Sequence, residues 1–421
     1  MAANAPHYCG IDFGTSNSTV ALATEGEHFL AMLEAAERSL PSAIFFNSTS
    51  GKVAFGRAAI NDYLAGENGR FMRALKSVIG RPLFHEKTRI QKRDVTLADI
   101  LSLYLRHLKT TTEGQIGHEM RQVVLGRPVQ FIEDSNELDG QAQSDLEQAA
   151  RKIGFAHIEF QFEPIAAALE YETSIAREEV VLVADIGGGT SDFSIVRVAP
   201  DKIKAADRTK DILANRGVRV GGTDFDQQLS MKQVMPSLGH GSIYGTKNLE
   251  MPVWIYMDLS TWSNVNFVYE HKVVSEIKAL RKDSKKPKLL ERLLSVLEHQ
   301  SGHHLIGDVE RVKIALSEND EALLDLAYIE SDFSIPVSQK NFETSIAGLL
   351  RRVEDCIAQT VTDAAVPAAQ INTVFMTGGS SMARPIQALI RKLFPAADIV
   401  SGDVFGAVGK GLGLDAKRKF G

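Results

Sequence analysis

Two stretches of this chain read alike, and each drives an apolar strand into a carboxylate and then a glycine turn. Tyr8 to Asp12 leads into Phe13-Gly14-Thr15-Ser16-Asn17-Ser18, and Val180 to Asp185 leads into Ile186-Gly187-Gly188-Gly189-Thr190-Ser191-Asp192. A returning strand follows each turn. The first runs through Ser18 to Ala23, turns at Glu25-Gly26 and resumes at His28 to Leu33; the second runs from Phe193 to Val198. The two aspartates lie 173 residues apart, far beyond the period of about 20–50 residues expected of a stacked repeat. One motif used twice at that distance predicts two related lobes. Val123 to Leu125 before Gly126 and Thr373 to Thr377 before Gly378 are two further strands expected to end in glycine turns, where a backbone approaches a ligand closely.

Helical segments alternate with these strands, which predicts an α/β architecture. Ser144 to Lys152 stops at Gly154, a left-handed cap. Pro164 suits the first turn of a helix running through Ile165 to Tyr171. Asp308 to Leu316 and Phe342 to Val361 read as two more helices. Leu289, Leu290, Leu293, Leu294 and Leu297 form an apolar stripe at helical spacing, read as packing surface. No low-complexity linker separates the lobes.

A net charge of −6 gives no electrostatic reason to expect a nucleic acid or an anionic membrane as partner. Two cysteines, Cys9 and Cys356, make no disulfide framework, so a reducing, cytoplasmic setting is expected. No apolar run approaches the roughly 18–20 residues a spanning helix needs. The first residues lack the basic and apolar regions of a signal peptide.

Glycines and short hydroxyl side chains at a hairpin tip wrap a phosphate chain with backbone N–H groups. A carboxylate at the strand end suits Mg²⁺ held through water, because this small hard ion keeps most of its hydration shell. There is no Gly-x-x-x-x-Gly-Lys-Ser/Thr sequence, which excludes a P-loop enzyme, and no Gly-x-Gly-x-x-Gly opening a helix after a strand.

Both turns resemble the phosphate loops of the actin-like ATPase superfamily, and within it those of the 70-kDa heat-shock protein (DnaK) family. Leu40-Pro41-Ser42, Lys76 to Arg81, Phe162-Glu163-Pro164-Ile165-Ala166-Ala167-Ala168, Val220 to Asp226, Glu310 to Ser317 and Thr377 to Ser380 resemble further family segments, in the same order. Phe160 to Val196 is especially similar to the short YegD-type DnaK-like chaperones. The resemblance implies a two-lobed actin-like (ribonuclease H-like) fold, each lobe a mixed sheet flanked by helices. Lobe I would span 1–178 with a subdomain at about 40–109, and lobe II 179–401 with a subdomain at about 229–334. Residues 402–421 would return to lobe I.

The resemblance also implies ATP/ADP and Mg²⁺ as ligands. Asp12 and Asp185 would position the ion through water. Gly14, Thr15, Ser16 and Asn17 would contact the phosphates from one side, and Gly187, Gly188, Gly189 and Thr190 from the other. Glu163 and Asp192 would orient the attacking water. Gly221, Gly222, Glu310, Lys313, Ser317, Gly378, Gly379, Ser380 and Asp403 would contact the nucleotide around its adenosine. Client or co-chaperone proteins would be partners. An actin-like filament protein and a small-molecule kinase share the same loops and are the alternatives. Three departures qualify the carry-over. Ile60 stands where a phosphate-touching lysine is expected, which implies slow hydrolysis; Arg57 is near enough in sequence to substitute for it, with a surface role as the equal alternative. Ile314 replaces an arginine that stacks on the base, and Met382-Ala383-Arg384 holds one residue more than usual before Pro385. No β-sandwich and lid for peptide follow, so the peptide-binding half is expected to be lacking. The segment between Asp226 and Glu310 is longer than in the family, and its Trp254 and Trp262 are read as packing residues, with a partner surface as the alternative.

Overall fold

The computed structural model describes residues 7–90, 93–132, 135–173, 175–205, 208–262, 264–401 and 406–421. The chain forms two compact units. One comprises Met1–Arg219, Cys356–Ser381 and Arg391–Gly421, the other Val220–Asp355 and Met382–Ile390.

The first unit holds two large sheets with the same plan. In one, the strands lie in the order His28–Leu30, Asn17–Ala23, Tyr8–Phe13, Gln122–Arg127, His157–Phe162. In the other the order is Ile212–Val218, Ser191–Val198, Glu179–Ile186, Thr373–Thr377, Asp398–Ser401. In each sheet the first three strands pair antiparallel and the last three parallel. The hairpin registers also coincide. Phe13 pairs with Ser18 and Ile186 with Ser191, leaving loops Gly14–Asn17 and Gly187–Thr190 of equal length. The central strands are buried almost throughout, as strands covered on both faces must be, and so read as continuous apolar runs. The internal duplication expected from sequence is therefore present in topology and in register.

A helix, Glu163–Glu172, follows the last strand of the first sheet, and the Ala407–Phe420 helix packs flush against both it and strand Tyr8–Phe13. Glycines permit that approach. A Cβ on Gly411 would lie 1.8 Å from the Ala166 carbonyl oxygen, and one on Gly10 within 2.4 Å of the Gly413 nitrogen. Ile165–Leu169, Val181, Val183, Phe375 and Leu412 share one apolar core, so strands of the two sheets and both helices are packed together.

Gly126 departs from expectation. It lies inside strand Gln122–Arg127 and forms no turn; its missing side chain leaves room for Leu412, Glu163 and Asp12, whose atoms would lie 2.9, 3.4 and 3.7 Å from a Cβ there.

The second unit is mainly helical: Gly222–Leu229, Val253–Leu259, His271–Asp283, Pro287–Glu298 and Gly302–Ala315, with a hairpin of Glu321–Asp325 and Ser334–Ser338. The leucine stripe is packing surface as read, with Leu290, Leu293, Leu294 and Leu297 buried. The tryptophans divide. Trp262 packs against buried His303, ring centroids 5.2 Å apart and planes tilted by 40°, whereas Trp254 is exposed. No described helix is long and apolar enough to cross a membrane.

Candidate functional site

The first unit brings the two glycine turns face to face. A Cβ on Gly188 would sit 1.9 Å from Ser16 Oγ, and one on Gly189 3.9 Å from Thr15 Cγ2. A side chain at 188 would therefore displace the Ser16 hydroxyl of the opposing turn. Each turn is braced from behind. Ser42 Oγ donates to the Gly14 carbonyl at 2.7 Å and Ser42 N–H to the Ser16 carbonyl at 2.8 Å, while the Tyr104 hydroxyl holds the Leu40 and Pro41 carbonyls. Behind the second turn, Ser380 Oγ donates to the Gly187 carbonyl at 2.9 Å. Gly378, at φ +78°, lies so close that a Cβ would be 2.5 Å from Asp185 Oδ1. Thr190 Oγ1 donates to Asp192 at 3.2 Å.

Asp12 and Asp185 end the central strands of the two sheets, and Glu163 opens the helix that follows the first sheet. Into this group comes Lys76, whose ammonium donates to Glu163 Oε1 at 2.6 Å with both side chains nearly buried. Its presentation is structurally costly. Lys76 sits in the turn Leu75–Val78, entered through Ala74 at φ +58°, a left-handed conformation that a non-glycine residue adopts at a penalty of about 1 kcal/mol or more. The turn is held by Ser77 Oγ on the Ala74 carbonyl at 2.8 Å, and by Gly80, whose N–H donates to buried Asp145 at 3.2 Å. A Cβ on Gly80 would strike helix Asn136–Lys152 at Ala142 and Leu138, 2.7 Å away.

The electrostatics follow from burial. Desolvation, then the Glu163 carboxylate, pushes Asp12 up to about 8, with Lys76 opposing and Asp185 adding to the rise. Desolvation, Glu163 and Asp192 push Asp185 up to about 7, again against Lys76. Burial works against the charge on Lys76, but Glu163, Asp12 and Asp185 outweigh it and hold the ammonium above its usual range. Carboxylate charge therefore exceeds what one lysine neutralises. No three described His, Cys, Asp or Glu side chains converge to chelate a metal directly. Asp12 and Asp185, whose carboxylate charge Lys76 only partly offsets, lie beside the backbone turns and fit a cation that arrives with its water shell, as Mg²⁺ does.

This predicts an unusual pH dependence. In the unfolded chain both aspartates ionise near 3.8, but in the folded chain near 8 and 7. Between those values the native state binds more protons, so stability falls as pH rises through that window. Thermal melts of metal-free protein should show a lower Tm at pH 8 than at pH 5, recovered by added Mg²⁺. Asp185→Asn should flatten the slope and raise the pH 8 Tm by about 3 °C or more. A slope unaffected by Asp185→Asn would reject the coupled-carboxylate account.

Two sequence expectations are corrected here. Ile60 does not approach this group; it packs with Ala43, Phe45, Ala59, Tyr63 and Phe71 on a separate small core. Arg57 is no substitute cation, because it is committed to Glu34 at 3.1 Å and to the Ser39 carbonyl at 2.8 Å. The cation is Lys76, first residue of the Lys-Ser-Val-Ile-Gly-Arg segment; its place in that segment, four residues before Gly80, was the available signal.

The remaining expected contacts lie in the second unit. Lys313 donates to Asp226 at 2.7 Å and to the Gly222 carbonyl at 3.1 Å, joining helix Gly302–Ala315 to the Gly221-Gly222 turn, where Gly221 N–H donates to Asp224 at 2.8 Å. Lys313 is therefore a buried tie to Asp226. Glu310 is half-buried on the same helix, and Ser317 follows the helix end, where its carbonyl accepts from Arg384 Nε at 3.0 Å. Ile314 is largely exposed. Asp403 lies outside the described residues.

Against known sequences, the family model described as Hsp70 protein matches residues 8–235 and 292–411. The chain belongs to the Hsp70 family. Its architecture is accordingly the actin-like ATPase fold. The chaperone protein DnaK of Thermosipho africanus (strain TCF52B) is 26% identical over 403 residues, covering 94% of this chain and 56% of that protein. The chain thus spans about half the length of the curated relative it matches.

Proposed function

We propose that this Hsp70-family chain binds ATP with Mg²⁺ and hydrolyses it in the cytoplasm, as the nucleotide-binding part of a DnaK-like chaperone system. The observation that carries the reading is the buried group of Asp12, Asp185, Glu163 and Lys76 beside two facing glycine turns. Gly14 to Asn17 and Gly187 to Thr190 offer backbone N–H groups and hydroxyls to phosphate oxygens. Asp12 and Asp185 would hold Mg²⁺ through water, and the bound ion would supply charge neutralisation on the phosphates. Glu163 and Asp192 accept hydrogen bonds from the attacking water and orient it. Lys76, steered by Glu163, offers an ammonium to charge developing on the transferred phosphoryl group; positioning and electrostatics suffice for this chemistry. Gly221, Gly222, Glu310, Lys313, Ser317, Gly378, Gly379 and Ser380 are assigned to the adenosine by family resemblance, with the exposed Ile314 offering apolar contact to the base. Lobes 1–178 and 179–401 would respond to nucleotide, and client or co-chaperone proteins would read that response. Slow turnover is no longer expected on account of Ile60, since Lys76 supplies the cation.

Isothermal titration should show ATP·Mg binding that weakens on chelation of the metal. Asp185→Asn should reduce turnover by about 10²-fold or more, the scale of losing one charge-positioning group. No heat of binding from the metal-replete protein would reject the nucleotide reading as a whole.

A further inference from the structure

The chain is net −6, yet residues 272–288 hold seven lysines and arginines against two acids, Glu276 and Asp283. They lie on helix His271–Asp283, its turn and the start of helix Pro287–Glu298. The whole run falls in 236–291, between the two blocks that the family model matches, so family membership assigns it no task. Part of the charge is internally spent. Lys278 pairs with Glu298 at 2.7 Å, Arg281 with Glu291 at 3.6 Å and Lys288 with Glu330 at 3.0 Å. Lys282 and Lys286 are exposed and make no ion pair among the described residues, and Lys285 reaches only the neutral side-chain oxygen of Asn248.

That bond is one of three that zip a small hairpin, Ile243–Tyr244 with Leu249–Glu250, onto the basic turn. Gly245 N–H donates to the Asp283 carbonyl at 2.9 Å and Lys285 N–H to the Ile243 carbonyl at 3.0 Å. Lys247, in the hairpin loop, is exposed and likewise without an ion pair among the described residues. The hairpin then passes directly into helix Val253–Leu259. Its inner residues Ile255, Tyr256 and Leu259 are buried, while Leu249, Val253, Trp254 and Met257 are 50%, 48%, 42% and 37% exposed. Four lysines without carboxylate partners thus lie on the hairpin and the basic turn it is fastened to, with exposed Leu249 on the same hairpin and three more exposed apolar side chains on the helix it enters, where singly scattered ones would need no explanation.

We propose that this surface docks an acidic, amphipathic segment of a partner protein. The free lysines set the sign of the partner's charge, and no existing ion pair has to be broken to receive its carboxylates. Trp254 and its neighbours are the apolar anchors, a residue type that dominates protein interfaces. A nucleic acid fits less well. With the +5 of residues 272–288 set aside the rest of the chain is −11, and attraction is confined to the patch by screening over about 8 Å at physiological salt. The inference does not depend on the nucleotide reading.

The test is fluorescence anisotropy of a labelled synthetic peptide with Glu on one helical face and Leu and Trp on the other, titrated with the full chain. Binding should weaken as salt rises. Lys247→Glu/Lys282→Glu/Lys286→Glu should weaken it about 10-fold or more, and Trp254→Ala about 10-fold, with Tm unaltered in both variants. Peptide that fails to bind the wild type, or binds both variants as well as the wild type, overturns the proposal. So does single-stranded DNA or a phosphatidylserine vesicle that binds as tightly and is lost with the same lysines, because the patch would then be a general polyanion site.

Discussion

Replacing Lys76 by methionine should slow single-turnover ATP hydrolysis by about 10²–10³-fold, the effect of removing one preorganised charge-stabilising donor. Lys76 is the cation that faces Asp12, Asp185 and Glu163, and it donates to Glu163 at 2.6 Å. Methionine keeps its length and packing but leaves the carboxylates without a neutralising partner. Affinity for ATP·Mg should hold within a few-fold, since loss of a nearby positive charge makes the site more attractive to a divalent cation. The split between rate and affinity is the diagnostic, because general unfolding would lower both. Ile60→Lys, by contrast, should leave the rate unaltered and cost stability, because position 60 faces an apolar core beside Phe45 and Tyr63. A Lys76→Met enzyme with wild-type turnover would remove Lys76 from the reaction.

Arg208→Met should lower the unfolding free energy by about 3–5 kcal/mol, the usual cost of leaving a buried charge without its partner. Arg208 and Glu172 are 2% and 0% exposed, and the guanidinium grips both carboxylate oxygens, at 2.6 and 2.9 Å. Burial disfavours the Arg208 charge, yet Glu172 and Asp211 outweigh it and hold the guanidinium protonated. Glu172 is the last residue of the helix that begins with Glu163, so that helix is tied by a cation at each end, Lys76 and Arg208. Urea melts should show the loss. Glu172→Met/Arg208→Met should recover most of it, since a pair of apolar side chains leaves no charge stranded. A loss below about 1 kcal/mol for Arg208→Met would mean that water reaches the pair, as at an exposed ion pair.

Much of this protein was readable from local pattern. The hairpins at Asp12 and Asp185, the cap at Gly154 with φ +100° and the leucine stripe were all legible. Their signals lie within a few residues of one another, as turn chemistry and helical spacing do. At Gly126 local pattern points to a turn, because a glycine that ends a strand and one that admits a packing neighbour look alike in sequence; only the approach of Leu412, Glu163 and Asp12 separates them.

The amino-acid sequence by itself determined the duplicated strand–turn–strand motif and the family. These are properties of short segments whose meaning survives without neighbours. Tertiary structure decided which cation serves the carboxylates. Lys76 and Ile60 are both plausible by distance along the chain, but a strained turn at Ala74 and the docking of Gly80 aim one at Glu163, while an aromatic cluster absorbs the other. It also decided that Arg57 belongs to Glu34, and that one tryptophan packs while the other is exposed. A side chain's partner is fixed by what folding brings to it from distant parts of the chain, and for charges in a buried site that partner sets the protonation state as well.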